Sequence, residues 1–120
     1  MRTPVVRLVI VCLAVGVVVA AALLLRADPA PYVVSAIDYH FHDAHPTFPI
    51  APGRDLVVKN VGSNVHNVTI PALEVSSDVA PGEELTIEDI AGRLDPGRYE
   101  LVCRYHEDRG MTGVIVIAAS

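Results

Sequence analysis

Residues 97–116 of this chain read GRYELVCRYHEDRGMTGVIV. In the first part of this stretch Tyr99, Leu101 and Cys103 occupy alternate positions, so an extended backbone places all three on one face. After Gly113 a β-branched run, residues 114–117, is typical of a strand. The stretch therefore predicts two strands joined by a loop. We refer to residues 103–111 as the donor loop.

The donor loop carries three side chains that bind metals: the thiol of Cys103, the imidazole of His106 and the thioether of Met111. Apart from Met1, Met111 is the only methionine of the chain. A thiolate, an imidazole and a weak thioether together suit a copper ion that cycles between Cu(I) and Cu(II). Cys103 by itself would be interpreted as a buried structural thiol. The metal hypothesis therefore depends on the spacing of all three donors.

Such a site needs a second imidazole from elsewhere in the chain. His66, in the segment NVHN at residues 64–67, is the candidate. We expect it to come from the sheet that faces the donor loop. The alternative is a hydrogen-bonded histidine at the start of a strand.

The donor loop resembles the C-terminal copper loop of the cupredoxins, the blue copper proteins. The resemblance rests on the pattern C-x2-H-x3-G-M-x-G over residues 103–113 and on G-x-Y at residues 97–99, with spacing nearest to plastocyanin and pseudoazurin. Residues 60–67, NVGSNVHN, resemble the family segment that ends in the first histidine ligand and the asparagine after it. The resemblance covers about residues 32–118.

This resemblance implies one type 1 copper ion held by His66, Cys103, His106 and Met111. The thiolate of Cys103 would supply the short covalent bond, and the two histidines would complete a near-trigonal plane. Met111 would lie axially and tune the reduction potential. A rigid β scaffold would hold this geometry between the preferences of Cu(I) and Cu(II).

Asn67 resembles the family asparagine whose amides join the two ligand segments and hydrogen-bond the sulfur. Gly110 and Gly113 are expected to let the loop backbone pass close to the metal. The sequence departs from the family at Tyr105, where many relatives have proline before the loop histidine. The donor loop is also charged where family docking surfaces tend to be apolar: Arg104, Glu107, Asp108 and Arg109.

Turn and strand signals elsewhere predict the fold class. Pro-Gly pairs at residues 52–53, 81–82 and 96–97 are typical of type II turns. Strand-like runs follow them at residues 55–60, 84–88 and 99–103, and others lie at 32–39, 65–70 and 114–117. Residues 74–78 are expected to form a surface loop, on composition. About seven short strands at 8–12-residue spacing predict an all-β, Greek-key β-sandwich over residues 32–120, preceded by a linker at 27–31.

The first 26 residues predict one N-terminal transmembrane helix. Residues 8–25 form an uncharged apolar run of eighteen, near the lower limit for spanning a bilayer. Arg2 and Arg7 before it favour a cytoplasmic N-terminus and an extracytoplasmic domain. The alternative is a cleaved signal peptide and a secreted or periplasmic protein. Leu25 is too large for the cleavage site that would be needed, so we favour the uncleaved anchor.

Charge and cysteine usage limit the possible functions. From residue 28 onward fourteen acidic and six basic residues give a net charge near −8, with histidines neutral. This charge disfavours nucleic-acid binding, which needs a basic surface. Cys103 would be the only cysteine on the oxidising side, so no intrachain disulfide can form there. A free thiol in that compartment is exposed to oxidation unless it is buried or bound to a metal.

A separate cluster, His40, His42 and His45, precedes Pro46. In a strand His40 and His42 point to the same face, at a spacing that lets them share a metal. Asp43 is a candidate fourth ligand. The alternative, which we favour, is a polar edge strand with solvated imidazoles.

The predicted function is a membrane-tethered, extracytoplasmic one-electron carrier between redox partner proteins, and not an enzyme. The runner-up hypothesis is copper binding for delivery or sensing without electron relay. A third is a metal-free interaction module, for which Cys103 would matter little.

Overall fold

A computed structural model describes residues 28–44 and 49–120 of the chain. The predicted transmembrane segment and His45 lie outside the described residues. Within those residues, no helix combines the length and apolar character that crossing a membrane requires.

The described chain is built from eight strands, one short helix and two 3-10 turns. The strands are β1 (Tyr32–Ile37), β2 (His40–His42), β3 (Leu56–Asn60), β4 (His66–Ile70), β5 (Val75–Val79), β6 (Glu84–Ile87), β7 (Gly97–Val102) and β8 (Thr112–Ile117). The helix α1 is Ile90–Arg93, and the 3-10 turns are Pro71–Leu73 and Glu107–Arg109.

These strands form two four-stranded sheets, in the orders β2-β1-β3-β6 and β5-β4-β7-β8. Neighbouring strands are antiparallel except β1 and β3, which run parallel from Tyr32 opposite Leu56 to Ala36 opposite Asn60. The two sheets enclose one apolar core, so the prediction of an all-β sandwich is confirmed. The longest regular ladder joins β7 to β8, the two strands that hold the donor loop.

Side chains at alternate positions of the strands point inward and form this core. In β1 the buried positions are Tyr32, Val34 and Ala36, whereas Val33 between them is exposed. In β8 the buried positions are Ile115 and Ile117. Burial of each such aliphatic side chain stabilises the fold by about 1.5–3 kcal/mol. The period of two predicted from the sequence is therefore the period that builds the core.

Two sequence predictions are wrong. Residues 74–78 are not a loop, because Val75–Val79 form β5, which pairs with β4 along its whole length. Ser76 and Asp78 lie on the outer face of this edge strand. Their polar character is typical of a loop, so composition alone did not indicate a strand. The third type II turn is also wrong: Gly53 and Gly82 have φ of 77° and 81°, but Gly97 has φ of 156° and begins β7.

Candidate metal centre

The donor loop is closed at its base by backbone hydrogen bonds. The Cys103 N–H donates to the Met111 carbonyl at 3.0 Å, which extends the β7–β8 ladder by one step. Inside the loop, the His106 N–H donates to the Cys103 carbonyl at 3.0 Å and the Met111 N–H to the His106 carbonyl at 3.1 Å. All three donor residues are therefore fixed to one another through the main chain.

Gly110 and Gly113 each have a structural role that the structure shows directly. Gly110 ends the 3-10 turn in a left-handed conformation, with φ of 79°, and its N–H donates to Glu107 at 2.9 Å. Gly113 makes room for another segment, since a Cβ there would lie 2.7 Å from the Cβ of Ala44. Gly113 therefore allows close packing against Ala44, and Gly110 allows the chain to turn.

His66 begins β4, and its position corrects one expectation. It does not come from the facing sheet, because β4 lies beside β7 in the same sheet, with Thr69 opposite Val102. His66 and Cys103 are therefore at the same end of neighbouring strands. The facing-sheet prediction failed because nothing in the sequence shows which strand pairs with β7.

Three donor atoms converge at this end of the sandwich. The Cys103 Sγ lies 3.9 Å from His66 Nδ1 and 3.5 Å from His106 Nδ1, and the metal-binding atoms of the three residues all lie within 4.8 Å of one another. Metal–nitrogen bonds near 2.0 Å and metal–sulfur bonds near 2.3 Å, at trigonal angles, separate such atoms by about 3.7 Å. The spacing fits one metal ion.

The environment of His66 favours the form of the imidazole that binds metals. Its side chain is completely buried. Nδ1 is the ring nitrogen that faces Cys103 Sγ, and Nε2 has no hydrogen-bond partner among the described residues. Burial lowers the pKa of His66 below its ordinary value, and His106 lowers it further, against an opposing effect of Asp38. The neutral imidazole that results is the form that binds metals.

Met111 and Cys103 belong to the apolar core and are both completely buried. Cys103 is a free cysteine. His106 is only partly buried, which makes it the donor residue nearest to solvent. His66, Cys103, His106 and Met111 together are arranged like a type 1 copper site.

Asn67 is completely buried and contacts the sulfur, though through its backbone. Its N–H donates to Cys103 Sγ at 3.3 Å. Its side-chain oxygen accepts from the Thr69 hydroxyl at 2.6 Å, and its side-chain nitrogen donates to Asp78 at 2.9 Å. The expected hydrogen bond to sulfur is therefore present. The side-chain amide, however, reaches β5 instead of the donor loop.

Tyr39, which the sequence did not single out, covers one side of His106. The two rings meet edge to face with centroids 5.1 Å apart. The guanidinium of Arg109 lies 4.7 Å from the centre of the Tyr39 ring and donates to the Tyr39 hydroxyl at 2.9 Å. Tyr39 and His106 are 67 positions apart, and no sequence pattern links residues at that separation. The contact could therefore not be predicted from the sequence.

The histidine cluster is brought together only in part. His40 and His42 both lie on the exposed face of β2, as predicted, with ring centroids 6.0 Å apart. Asp43 is also exposed, but the described residues do not place its carboxylate in a three-donor group with this pair.

Comparison with known proteins identifies the family. The model of the cupredoxin-like domain matches residues 8–117, and the chain therefore belongs to that family. No curated protein matches the chain.

Solved structures with the same fold include three copper-protein types. A mutant plastocyanin of fern is 14% identical with a TM-score of 0.58, covering 72% of this chain and 99% of that one. An amicyanin mutant in the reduced state is 19% identical with a TM-score of 0.59, covering 79% and 88%. A purple cupredoxin from Nitrosopumilus maritimus is 15% identical with a TM-score of 0.56, covering 72% and 98%. At these identities the likeness shows the fold.

Proposed function

We propose that this protein is a one-electron carrier with a type 1 copper ion held by His66, Cys103, His106 and Met111. The observation that carries the proposal is the convergence of two imidazole nitrogens and one thiol sulfur within 4.8 Å. Bound copper would accept and release one electron, and the Cys103 thiolate would dominate its electronic structure. No substrate chemistry is assigned to the protein.

The scaffold supports this role because it holds the donors in place. His66 and Cys103 lie at the ends of paired strands, and the loop hydrogen bonds fix His106 and Met111 relative to Cys103. Donors held in this way move little when the charge of the ion changes. A small rearrangement favours fast electron transfer.

We assign the route of electron exit to His106. It is the donor residue nearest to solvent, whereas His66 is completely buried. The exposed side chains of Val65 and Tyr105 lie next to the two ligand histidines in the sequence. A redox partner protein would dock over this end.

The membrane tether is part of the same proposal and rests on residues 1–26 alone. Their uncharged run and the preceding arginines support a domain anchored on the extracytoplasmic side. Cell fractionation tests this proposal. A protein found in the membrane pellet at its full mass supports the anchor. A shortened protein in the soluble exported fraction supports the cleaved signal peptide instead.

The copper site is tested by adding Cu(II) to the full-length chain and recording its visible spectrum. We expect an intense thiolate-to-copper band that Cys103→Ser abolishes, because Cys103 is the cysteine found among the donors in the described residues. Cys12→Ser, in the predicted transmembrane segment, is the control and should leave the band unchanged. Stopped-flow reduction and reoxidation of the blue form then test electron transfer. A wild-type chain with only the weak absorption of the Cys103→Ser variant would contradict the proposal.

The second candidate function, copper capture for delivery, is favoured by the exposed pair on β2. The Nδ1 of His40 lies 2.8 Å from the Tyr39 carbonyl. An N–H there leaves Nε2 unprotonated and free to bind a metal, which is how ligating histidines are commonly oriented. The rings of His40 and His42 are 6.0 Å apart, close to the 5.2 Å between His66 and His106.

Electron paramagnetic resonance separates the two functions. If β2 captures copper, the Cys103→Ser chain binds Cu(II) with an ordinary, nitrogen-coordinated spectrum that His40→Ala and His42→Ala each abolish. The wild-type chain then passes this ion to an apo acceptor. If the Cys103→Ser spectrum survives both substitutions, β2 is a polar edge strand.

A further inference from the structure

The first half of the donor loop is attached to a strand that carries no ligand. The Tyr105 hydroxyl donates to Asp78 Oδ2 at 2.6 Å, and Arg104 Nη2 lies 3.4 Å from Asp78 Oδ1. Arg104 also donates to the Tyr105 hydroxyl at 3.0 Å and lies over its ring, 5.0 Å from the ring centre. Asp78 belongs to β5, the edge strand beyond β4. The carboxylate of Asp78 therefore accepts hydrogen bonds from both residues that follow Cys103.

The same carboxylate holds the residue that hydrogen-bonds the sulfur. Asn67 Nδ2 donates to Asp78 Oδ1 at 2.9 Å, while the Asn67 N–H donates to Cys103 Sγ at 3.3 Å. The position of Asn67 is further supported by the hydroxyls of Thr69 and Ser76, which lie 3.0 Å apart. The Asp78 side chain thus contacts both the donor loop and the strand that starts with His66.

This attachment matters because residue 105 is a tyrosine. A proline before His106, as in many relatives that the donor loop resembles, fixes φ covalently. Tyrosine leaves φ free, so ordering that backbone costs conformational entropy. The hydrogen bond from the Tyr105 hydroxyl restrains the same stretch from outside. It replaces a covalent restraint by a contact across two strands.

We propose that Asp78 is a positioning residue for the metal centre, which fixes Asn67 and the Arg104–Tyr105 segment together and so sets the hydrogen bond to Cys103 Sγ. This inference rests on the proposed function of the site. It assigns a specific role to a strand that the sequence did not reveal.

The charge of Asp78 should also affect the reduction potential of the metal centre. The hydrogen bond from Tyr105, and then that from Asn67, lower the pKa of Asp78, so its carboxylate stays ionised at neutral pH. A negative charge near the donors stabilises the more positive, oxidised state. Solvent weakens this effect because about half of the side chain is exposed, with a relative accessibility of 47%. Neutralising Asp78 should therefore shift the reduction potential upward, by a modest amount.

The test compares Asp78→Asn and Tyr105→Phe in the full-length chain with two matched controls. Tyr99→Phe removes a hydroxyl that donates to the Asp95 carbonyl at 2.7 Å, and Asp95→Asn removes an exposed charge. Asp95 precedes β7, and the donor loop follows it, so the controls lie at the other end of that strand. The controls therefore match the lost groups without touching the site.

The first measurement is amide hydrogen exchange at residues 104–106 in the metal-free chain. We expect about tenfold faster exchange in Asp78→Asn and Tyr105→Phe, because each removes a hydrogen bond that holds the loop. The controls should match the wild type. In the double variant the two effects should not add, whereas Asp78→Asn and Tyr99→Phe should be independent.

The second measurement, on the copper-loaded chain, is the reduction potential together with the rate of copper loss to excess chelator. Asp78→Asn should raise the potential and release copper about tenfold faster. Tyr105→Phe should speed release with a smaller shift of potential. If Asp78→Asn matches the wild type in exchange, potential and release, the positioning role is wrong. A wild-type chain that shows no blue band would overturn the proposed function, and the exchange data would still decide whether Asp78 holds the loop.

Discussion

At the scale of single residues, the metal centre combines donors of very different exposure. His66 and Cys103 are completely buried, whereas His106 reaches toward solvent beside Tyr39. A buried neutral imidazole and a buried thiol favour a soft metal over water as their partner. In the proposed function, the partly exposed imidazole of His106 would be the route for electrons while the other donors stay buried.

Gly113 is a position where packing requires a glycine, because its backbone lies against Ala44. We predict that Gly113→Ala destabilises the fold by about 1–3 kcal/mol, because the new Cβ would meet the Cβ of Ala44 at 2.7 Å. Urea denaturation of the metal-free chain measures this change. Adding Ala44→Gly should restore part of the loss.

Gly110→Ala serves as the comparison for that prediction. A Cβ at Gly110 would meet nothing within 4 Å, and its cost would come from the left-handed φ of 79°. Ala44→Gly should therefore not rescue Gly110→Ala. Equal rescue of both variants would show that Gly113 is not limited by Ala44.

At the scale of elements, one buried asparagine joins the two sheets near the start of β4. The Asn60 side chain, at the end of β3, donates to the carbonyls of Asn64 at 2.7 Å and Val79 at 2.8 Å. Its oxygen accepts from the Gly62 N–H at 3.0 Å. These bonds fix the segment that leads to His66. The sequence contained Asn60 in the family-like segment but did not show this role.

We predict that Asn60→Ala destabilises the chain by about 2–4 kcal/mol, because three polar groups would lose their partner. The matched control is Asn64→Ala, since Asn64 contributes only its backbone carbonyl to this arrangement. Urea denaturation should show a large loss for Asn60→Ala and almost none for Asn64→Ala. Similar losses in the two variants would assign the effect to the loop itself.

Some strands could be predicted from the sequence and one could not. The strands around the donor loop were predicted because alternation and β-branched runs are local signals. β5 was missed because an edge strand with Ser76, Ser77 and Asp78 has the composition of a loop. The three donors of the loop were predicted together because they lie within nine residues of one chain segment.

At the scale of the whole molecule, the two sheets share one buried apolar cluster. The buried cluster draws on strands of both sheets, among them Leu56 and Val58 of β3 and Leu101 of β7. Cys103 and Met111 are members of that cluster as apolar side chains. The core thus continues to the metal centre without a break.

We predict that the metal-free chain keeps its β-sandwich and unfolds cooperatively. Copper should then raise the free energy of unfolding by about 2.7 kcal/mol at one hundred times its dissociation constant, because it binds the folded state. Circular dichroism and urea denaturation, with and without copper, measure both effects. Cys103→Ser should fold without gaining this increment. A disordered metal-free chain would show instead that the metal organises the core.

The strand periods near the donor loop, the family resemblance and the three loop donors could be predicted from the amino-acid sequence, because backbone geometry fixes which side chains of one short segment share a face. Three features required the folded structure: His66 lies in the same sheet as Cys103, β1 runs parallel to β3, and Tyr105 donates to Asp78 from 27 positions away. Strand partners are chosen by packing of the complete core, and that choice depends on all strands together.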